Sequence, residues 1–185
     1  MGDTGFGRRG RWPSSAALGN VLAVHILVAT DADWVLDELR AALGEPDTTF
    51  AVVRDGRDVA PAVKASPTDI AILDLQVGTM GGMAVTMSLR LDESSGLVPH
   101  VPVLMLLDRA ADVHLARRSA ADGWLIKPLD PFRIRAAVSA VASGGSFRDG
   151  ELAGETTPDE EPVESIPLDD GANVESPDGE PAPTG

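Results

Sequence analysis

The segment Asp69-Ile70-Ala71-Ile72-Leu73-Asp74-Leu75 limits what this chain can fold into more than any other. Ile70 to Leu73 are apolar without alternation, so a strand built from them has no face to give to water. Such a strand needs a layer on each side, which is the situation inside a parallel sheet covered by helices. The run ends on a carboxylate, Asp74, and then on the glycine-rich loop Gln76-Val77-Gly78-Thr79-Met80-Gly81-Gly82. Ligands of open parallel sheets sit in the crevice beyond the carboxyl ends of the strands, so Asp74 is placed for chemistry. The same position also suits a strand terminator or the cap of the following helix.

The rest of the chain repeats the pattern. Val24–Ala29, Phe50–Val53, Val101–Leu107 and Gly123–Ile126 read as further strands, each followed by a segment of helical period. Trp34–Leu43 carries Val35, Leu36, Leu39 and Leu43 on one face, with Asp31 or Asp33 available as its cap and Gly44 as its terminator. Asp58–Ser66 is a short helix that tolerates Pro61 only near its first turn. Gly82–Leu91 and Ala110–Ser119 supply two more helices. Asp130 and Pro131 open a last one that runs to Gly144. Five strands alternating with five helices and right-handed crossovers predict a doubly wound α/β sheet over residues 21–144.

Composition sets the outer limits. The chain has no cysteine, which excludes a disulfide framework, a thiolate nucleophile and a Cys-based zinc site. His25, His100 and His114 are scattered without metal-ligand spacing. The net charge of −14 is concentrated in residues 145–185, which hold 12 acids and one Arg; the remainder carries 17 acids against 14 bases. Residues 1–20 therefore read as a flexible arm and 145–185 as an acidic disordered tail. Within the tail, Val163, Ile166 and Leu168 could form a short docking motif, although a solvated tail is the plainer reading. Nothing indicates a nucleic-acid surface. Arg8-Arg9-Gly10-Arg11 ahead of a moderately apolar stretch imitates a signal peptide, but Gly19, Asn20 and His25 interrupt that stretch. No segment approaches the ~20 apolar residues of a membrane span, so the expected location is cytoplasmic.

In this order and spacing, four landmarks resemble a response-regulator receiver domain of two-component signalling. They are Ile26-Leu27-Val28 with Asp31, Ile72-Leu73-Asp74-Leu75 with Met80 and Gly82 downstream, Pro102-Val103-Leu104-Met105, and Leu125, Lys127-Pro128 and Asp130-Pro131. The resemblance covers residues 24 to 142 and implies a flavodoxin-like sheet of order 2-1-3-4-5. Receivers in general are known for that order, with the ligand at the switch between strands one and three. The resemblance further implies that Asp74 accepts a phosphoryl group and that Asp31, Asp74 and the backbone carbonyl of Gln76 hold Mg²⁺. Lys127 then contacts the phosphoryl oxygens. The implied partners are a histidine kinase or phosphotransfer protein and a downstream protein target, with no direct contact to nucleic acid or membrane.

Three departures qualify this expectation. The family has two adjacent acids after strand one, and Thr30 stands at the first, which removes a negative charge from the metal site. At the end of strand four, Leu107-Asp108 replaces a hydroxyl residue and a small one. Leu107 cannot donate to a phosphoryl oxygen, a loss of about 1.5–3 kcal/mol. In the family that hydroxyl is coupled to an aromatic residue on strand five, here Trp124, so Leu107 and Trp124 are candidate switch positions. Gly78 in place of a proline predicts a less stiff loop after Asp74. The expected function is a stand-alone receiver signalling through protein contact in a phosphorelay. The alternative is a degenerate receiver that serves as a phosphorylation-independent interaction module. A flavin- or nucleotide-binding enzyme is disfavoured, because Thr30-Asp31-Ala32-Asp33 offers acids where a phosphate cradle is needed.

Overall fold

The computed structural model describes residues 24–150. The expected arm at 1–20 and the possible docking motif at Val163, Ile166 and Leu168 lie outside the described residues. The elements run β1 (Val24–Ala29), α1 (Asp33–Leu43), β2 (Thr48–Val53), α2 (Val59–Ala65), β3 (Ile70–Asp74), α3 (Gly82–Ser94), β4 (Val103–Leu107), α4 (Val113–Arg118), β5 (Gly123–Ile126), α5 (Pro131–Ala142) and β6 (Phe147–Arg148). Short 3₁₀ turns, Gly56–Asp58 and Ala110–Asp112, lead into α2 and α4. All neighbouring strands pair in parallel, in the order β2-β1-β3-β4-β5-β6.

The strands predicted to be covered on both faces are so covered. Every residue of β3 and of β4 is buried. On one face Ile26, Val28, Ile70, Ile72, Leu104 and Leu106 pack against α1 and α5 through Leu36, Leu39, Ile134 and Val138. On the other, Leu27, Ala71, Leu73 and Val103 meet Val59 and Val63 of α2 and Val85 and Leu89 of α3. Alternate residues of one strand thus enter opposite layers, as the pleat dictates. Each fully buried Leu or Ile here contributes about 1.5–3 kcal/mol.

Three expectations need correction. The sheet has six strands among the described residues, not five. The folded chain also continues past Gly144: Gly144 takes φ +81° and the backbone returns alongside β5 as β6. A two-residue strand has no periodicity to betray it, and Gly144-Gly145-Ser146 precede it. The start of α1 is not capped by an Asp side chain. Ala32 occupies the cap, while Asp33 is the first helical residue and pairs with Arg54 at 2.5 Å. Pro61 does sit in the first turn of α2, where its missing N–H has no helical partner to lose. Asp130 caps α5 as expected, accepting from the N–H groups of Phe132 and Arg133 at 3.0 Å each.

Candidate functional site at the carboxyl edge of the sheet

The parallel register brings the ends of β1, β3, β4 and β5 to one edge. Ala29 pairs with Leu73, Asp74 with Leu106, and Leu107 with Ile126. Thr30 and Asp74 therefore share one level, and Asp108 and Lys127 share another two residues further along, so four residues far apart in the chain meet at one edge.

Asp74 is only 2% exposed. Both of its oxygens are held. Lys127 Nζ donates to Oδ1 at 2.9 Å and to Oδ2 at 3.0 Å. The Gln76 N–H donates to Oδ1 at 3.2 Å, and the Thr30 hydroxyl to Oδ2 at 3.1 Å. A buried carboxylate survives only with such compensation, and these four hydrogen bonds supply it. Thr30 does more than replace an acid. Its Oγ1 also accepts from the Ala32 N–H at 3.2 Å, so one hydroxyl closes the β1–α1 turn and braces Asp74.

Lys127 has a second carboxylate partner, which the sequence alone does not single out. Asp108 Oδ1 accepts from Nζ at 2.9 Å. The Trp34 ring, half-exposed at the start of α1, lies with its centroid 5.5 Å from the same ammonium. Burial works against the charge on Lys127, but the hydrogen bonds to Asp108 and Asp74 and their fields outweigh it, so its pKa is raised above the ordinary lysine value. The available signal for Asp108 is its place directly after a buried strand, much like the clue that marks Asp74.

Asp31 is exposed and has no hydrogen-bond or ion-pair partner among the described residues. Its Oδ2 faces Gly78, where a Cβ would come within 3.6 Å. Among the described residues no three acidic, His or Cys side chains cluster as a ready metal cage. With Asp108 drawn to Lys127, the edge offers a cation the carboxylates of Asp31 and Asp74 and the backbone carbonyl of the exposed Gln76. That donor set fits Mg²⁺, which typically takes one or two carboxylates and keeps several waters.

The loop after Asp74 is braced from outside. Gly78 forms a bridge with Asp55, its carbonyl accepting from the Gly56 N–H at 3.3 Å. A side chain at Gly56 would meet the Met80 carbonyl at 1.9 Å, so this approach needs glycine. A Cβ at Gly82 would likewise stand 2.7 Å from the Asp74 carbonyl, where α3 begins against β3. These contacts constrain the loop in ways a missing proline does not reveal.

Leu107 and Trp124 are both buried, at 0% and 2% exposure, in one cluster with Leu75, Met105 and Ala116. Trp124 pairs with Met105, so Leu107 lies two residues further along the neighbouring strand. The guanidinium carbons of Arg117 and Arg148 lie 5.9 and 5.7 Å from the Trp124 ring centre. Its Nε1–H donates to the Asp149 carbonyl at 3.0 Å.

Comparison with known proteins agrees with this fold. The family model described as response regulator receiver domain matches residues 26–139. The transcriptional regulatory protein CseB of Streptomyces coelicolor is 31% identical over 140 residues, covering 71% of this chain and 57% of CseB. The transcriptional regulatory protein TcrA of Mycobacterium tuberculosis is 33% identical over 147 residues, or 78% of this chain and 56% of TcrA. The chain thus spans little more than half the length of these relatives. Among solved structures, chemotaxis response regulator CheY4 of Vibrio cholerae superposes with a TM-score of 0.56 at 20% identity, over 64% of this chain and 98% of that one. The receiver domain of the sensor histidine kinase PA1611 of Pseudomonas aeruginosa, solved with magnesium in its active-site cleft, gives 0.55 at 18% identity over 65% and 98%. These likenesses are of fold. No helix among the described residues is long and apolar enough to cross a membrane.

Proposed function

We propose that this chain, which belongs to the response-regulator receiver family, accepts a phosphoryl group on Asp74 and passes the signal on by protein contact. The observation that carries the reading is the buried Asp74 carboxylate at the end of β3 with Lys127 on both of its oxygens.

Held by its donors, the Asp74 carboxylate supplies the oxygen nucleophile. Its attack on phosphorus forms an acyl phosphate, and the donor's leaving group departs with the electron pair of the broken bond. Lys127 stabilises charge on the transferred oxygens. Thr30 and the Gln76 N–H hold the carboxylate in place, so that little reorganisation is needed at the moment of transfer. Asp31, Asp74 and the Gln76 carbonyl would hold Mg²⁺. Bound there, the cation supplies positive charge that offsets repulsion between the acids and an anionic donor. The proposed donor is a histidine kinase or phosphotransfer protein, and the proposed output surface is formed by α4, β5 and α5. The relatives named above are transcriptional regulators by name, so the expectation of no nucleic-acid contact stands without support from them.

The degenerate reading has its own observation. Leu107 is fully buried and offers no hydroxyl to follow a phosphoryl oxygen. Intact mass after incubation with acetyl phosphate and Mg²⁺ separates the two. One phosphoryl gained by wild type and none by Asp74→Asn supports transfer; no gain in wild type leaves the interaction module.

A further inference from the structure

Lys127 is shared. Its ammonium has three N–H groups, and the structure engages them with Asp74 on one side and Asp108 on the other, at matching distances of 2.9 Å. Asp108 belongs to no helix or strand; it directly follows the last residue of β4, and its side chain is 37% exposed at the rim of the crevice. The Trp34 ring closes on the ammonium from the β1–α1 side. A phosphoryl group arriving at Asp74 brings at least one further negative charge and needs the same lysine.

From this arrangement we propose that Asp108 is a positioning residue that competes with the incoming phosphoryl group for Lys127 and so restrains phosphorylation of Asp74. This deepens, and rests on, the proposed phosphoryl transfer. In the resting arrangement the one ammonium is shared between two carboxylates. For the acyl phosphate to be held, Lys127 must give up a carboxylate oxygen for a phosphoryl oxygen, and Asp108 is the partner it can release without leaving the nucleophile. The released carboxylate then stands unneutralised beside a second anion. Repulsion and lost pairing both raise the cost of the adduct, by an amount that depends on charge at Asp108 and not on its bulk. Because the site already lacks one family acid at Thr30, Asp108 also returns a negative charge to the edge, but from the β4 side.

The test uses the full chain and two readouts. The first is the Trp34 indole resonance in the absence of any phosphodonor, since the ring reports where the Lys127 ammonium rests. Asp108→Ala should move that resonance, and Asp108→Glu should return it towards wild type. The second is the initial rate of mass gain from acetyl phosphate with Mg²⁺. Asp108→Asn and Asp108→Ala should both be about three- to tenfold faster than wild type, and Asp108→Glu should return towards it. A Trp34 resonance unmoved by Asp108→Ala overturns the proposal, as does a mass gain equal in wild type and Asp108→Asn. If the resonance moves but no variant gains mass, phosphoryl transfer itself is wrong and the restraint falls with it.

Discussion

Trp124 donates its indole N–H to the backbone carbonyl of Asp149, tying the largest side chain of the β4–β5 layer to a segment beyond the last helix. Asp149 returns the tie with three more hydrogen bonds. Its N–H donates to the Trp124 carbonyl at 3.2 Å, and its carboxylate accepts from the Ile126 N–H at 2.9 Å and from Arg133. The outer edge of β5 is thus closed by the chain's own continuation, which also answers the hazard of an unpaired strand edge.

Asp149→Ala should therefore destabilise the domain. It strips an acceptor from the Ile126 N–H and from a half-buried guanidinium, at a cost of about 1–3 kcal/mol. For a domain of this size that corresponds to a fall of about 3–12 °C in melting temperature. Thermal denaturation followed by circular dichroism checks it, and an unchanged midpoint would show that the Asp149 carboxylate adds nothing.

Leu107→Thr tests the switch positions. The substitution removes buried apolar volume and adds a hydroxyl beside Met105 and Trp124, costing about 2–4 kcal/mol. If Asp74 is phosphorylated, the new hydroxyl gains a differential contact with the modified state. The phosphorylation-dependent change in Trp124 fluorescence should then exceed that of wild type. Equal changes in the two proteins would reduce Leu107 to packing alone.

Thr30→Asp trades the hydroxyl that braces Asp74 for a second buried acid. Without metal the variant should melt below wild type, because like charges meet at a buried site. With Mg²⁺ it should gain more than wild type does, since a third carboxylate tightens the site and binding to the native state raises stability. Melting both proteins with and without millimolar Mg²⁺ reads the difference of differences. A shift no larger in the variant would argue against a cation at Asp31 and Asp74.

Alkaline pH offers a clean assay of Lys127. The chain has two lysines and no tyrosine or cysteine, so few groups titrate there. The folded-state pKa of Lys127 is raised above the ordinary 10.5 by Asp108 and Asp74, against the effect of its burial. Its stabilisation is thus fully present below pH 10.5 and is lost as pH rises through the higher folded value. Urea unfolding at a series of pH values from about 8 to about 12 should show that decline in wild type. Lys127→Met should be less stable by about 3–5 kcal/mol at about pH 8, because it leaves a buried carboxylate without its cation, and its alkaline decline should be smaller. Parallel pH curves would place the stabilisation elsewhere.

Most of the fold was legible in the chain because its signals are local. Unbroken apolar runs such as Ile70–Leu73 and Leu104–Leu107 suit strands of a covered sheet, and the period of Trp34–Leu43 suits a helix that buries one face. Asp74 was legible as a candidate because it ends a buried run, and parallel strands deliver such ends to one edge; Lys127 was legible through the resemblance of its Lys-Pro landmark. Tertiary structure alone decided the rest. That Asp108 and Trp34 converge on Lys127 depends on how the ends of β4 and β5 and the first turn of α1 are set in space, which no period records. That Thr30 braces Asp74 follows from the level at which β1 and β3 register. That Phe147–Arg148 forms a sixth strand depends on the free edge of β5 and an open path back from α5. A two-residue segment has no preference strong enough to declare itself before that edge exists.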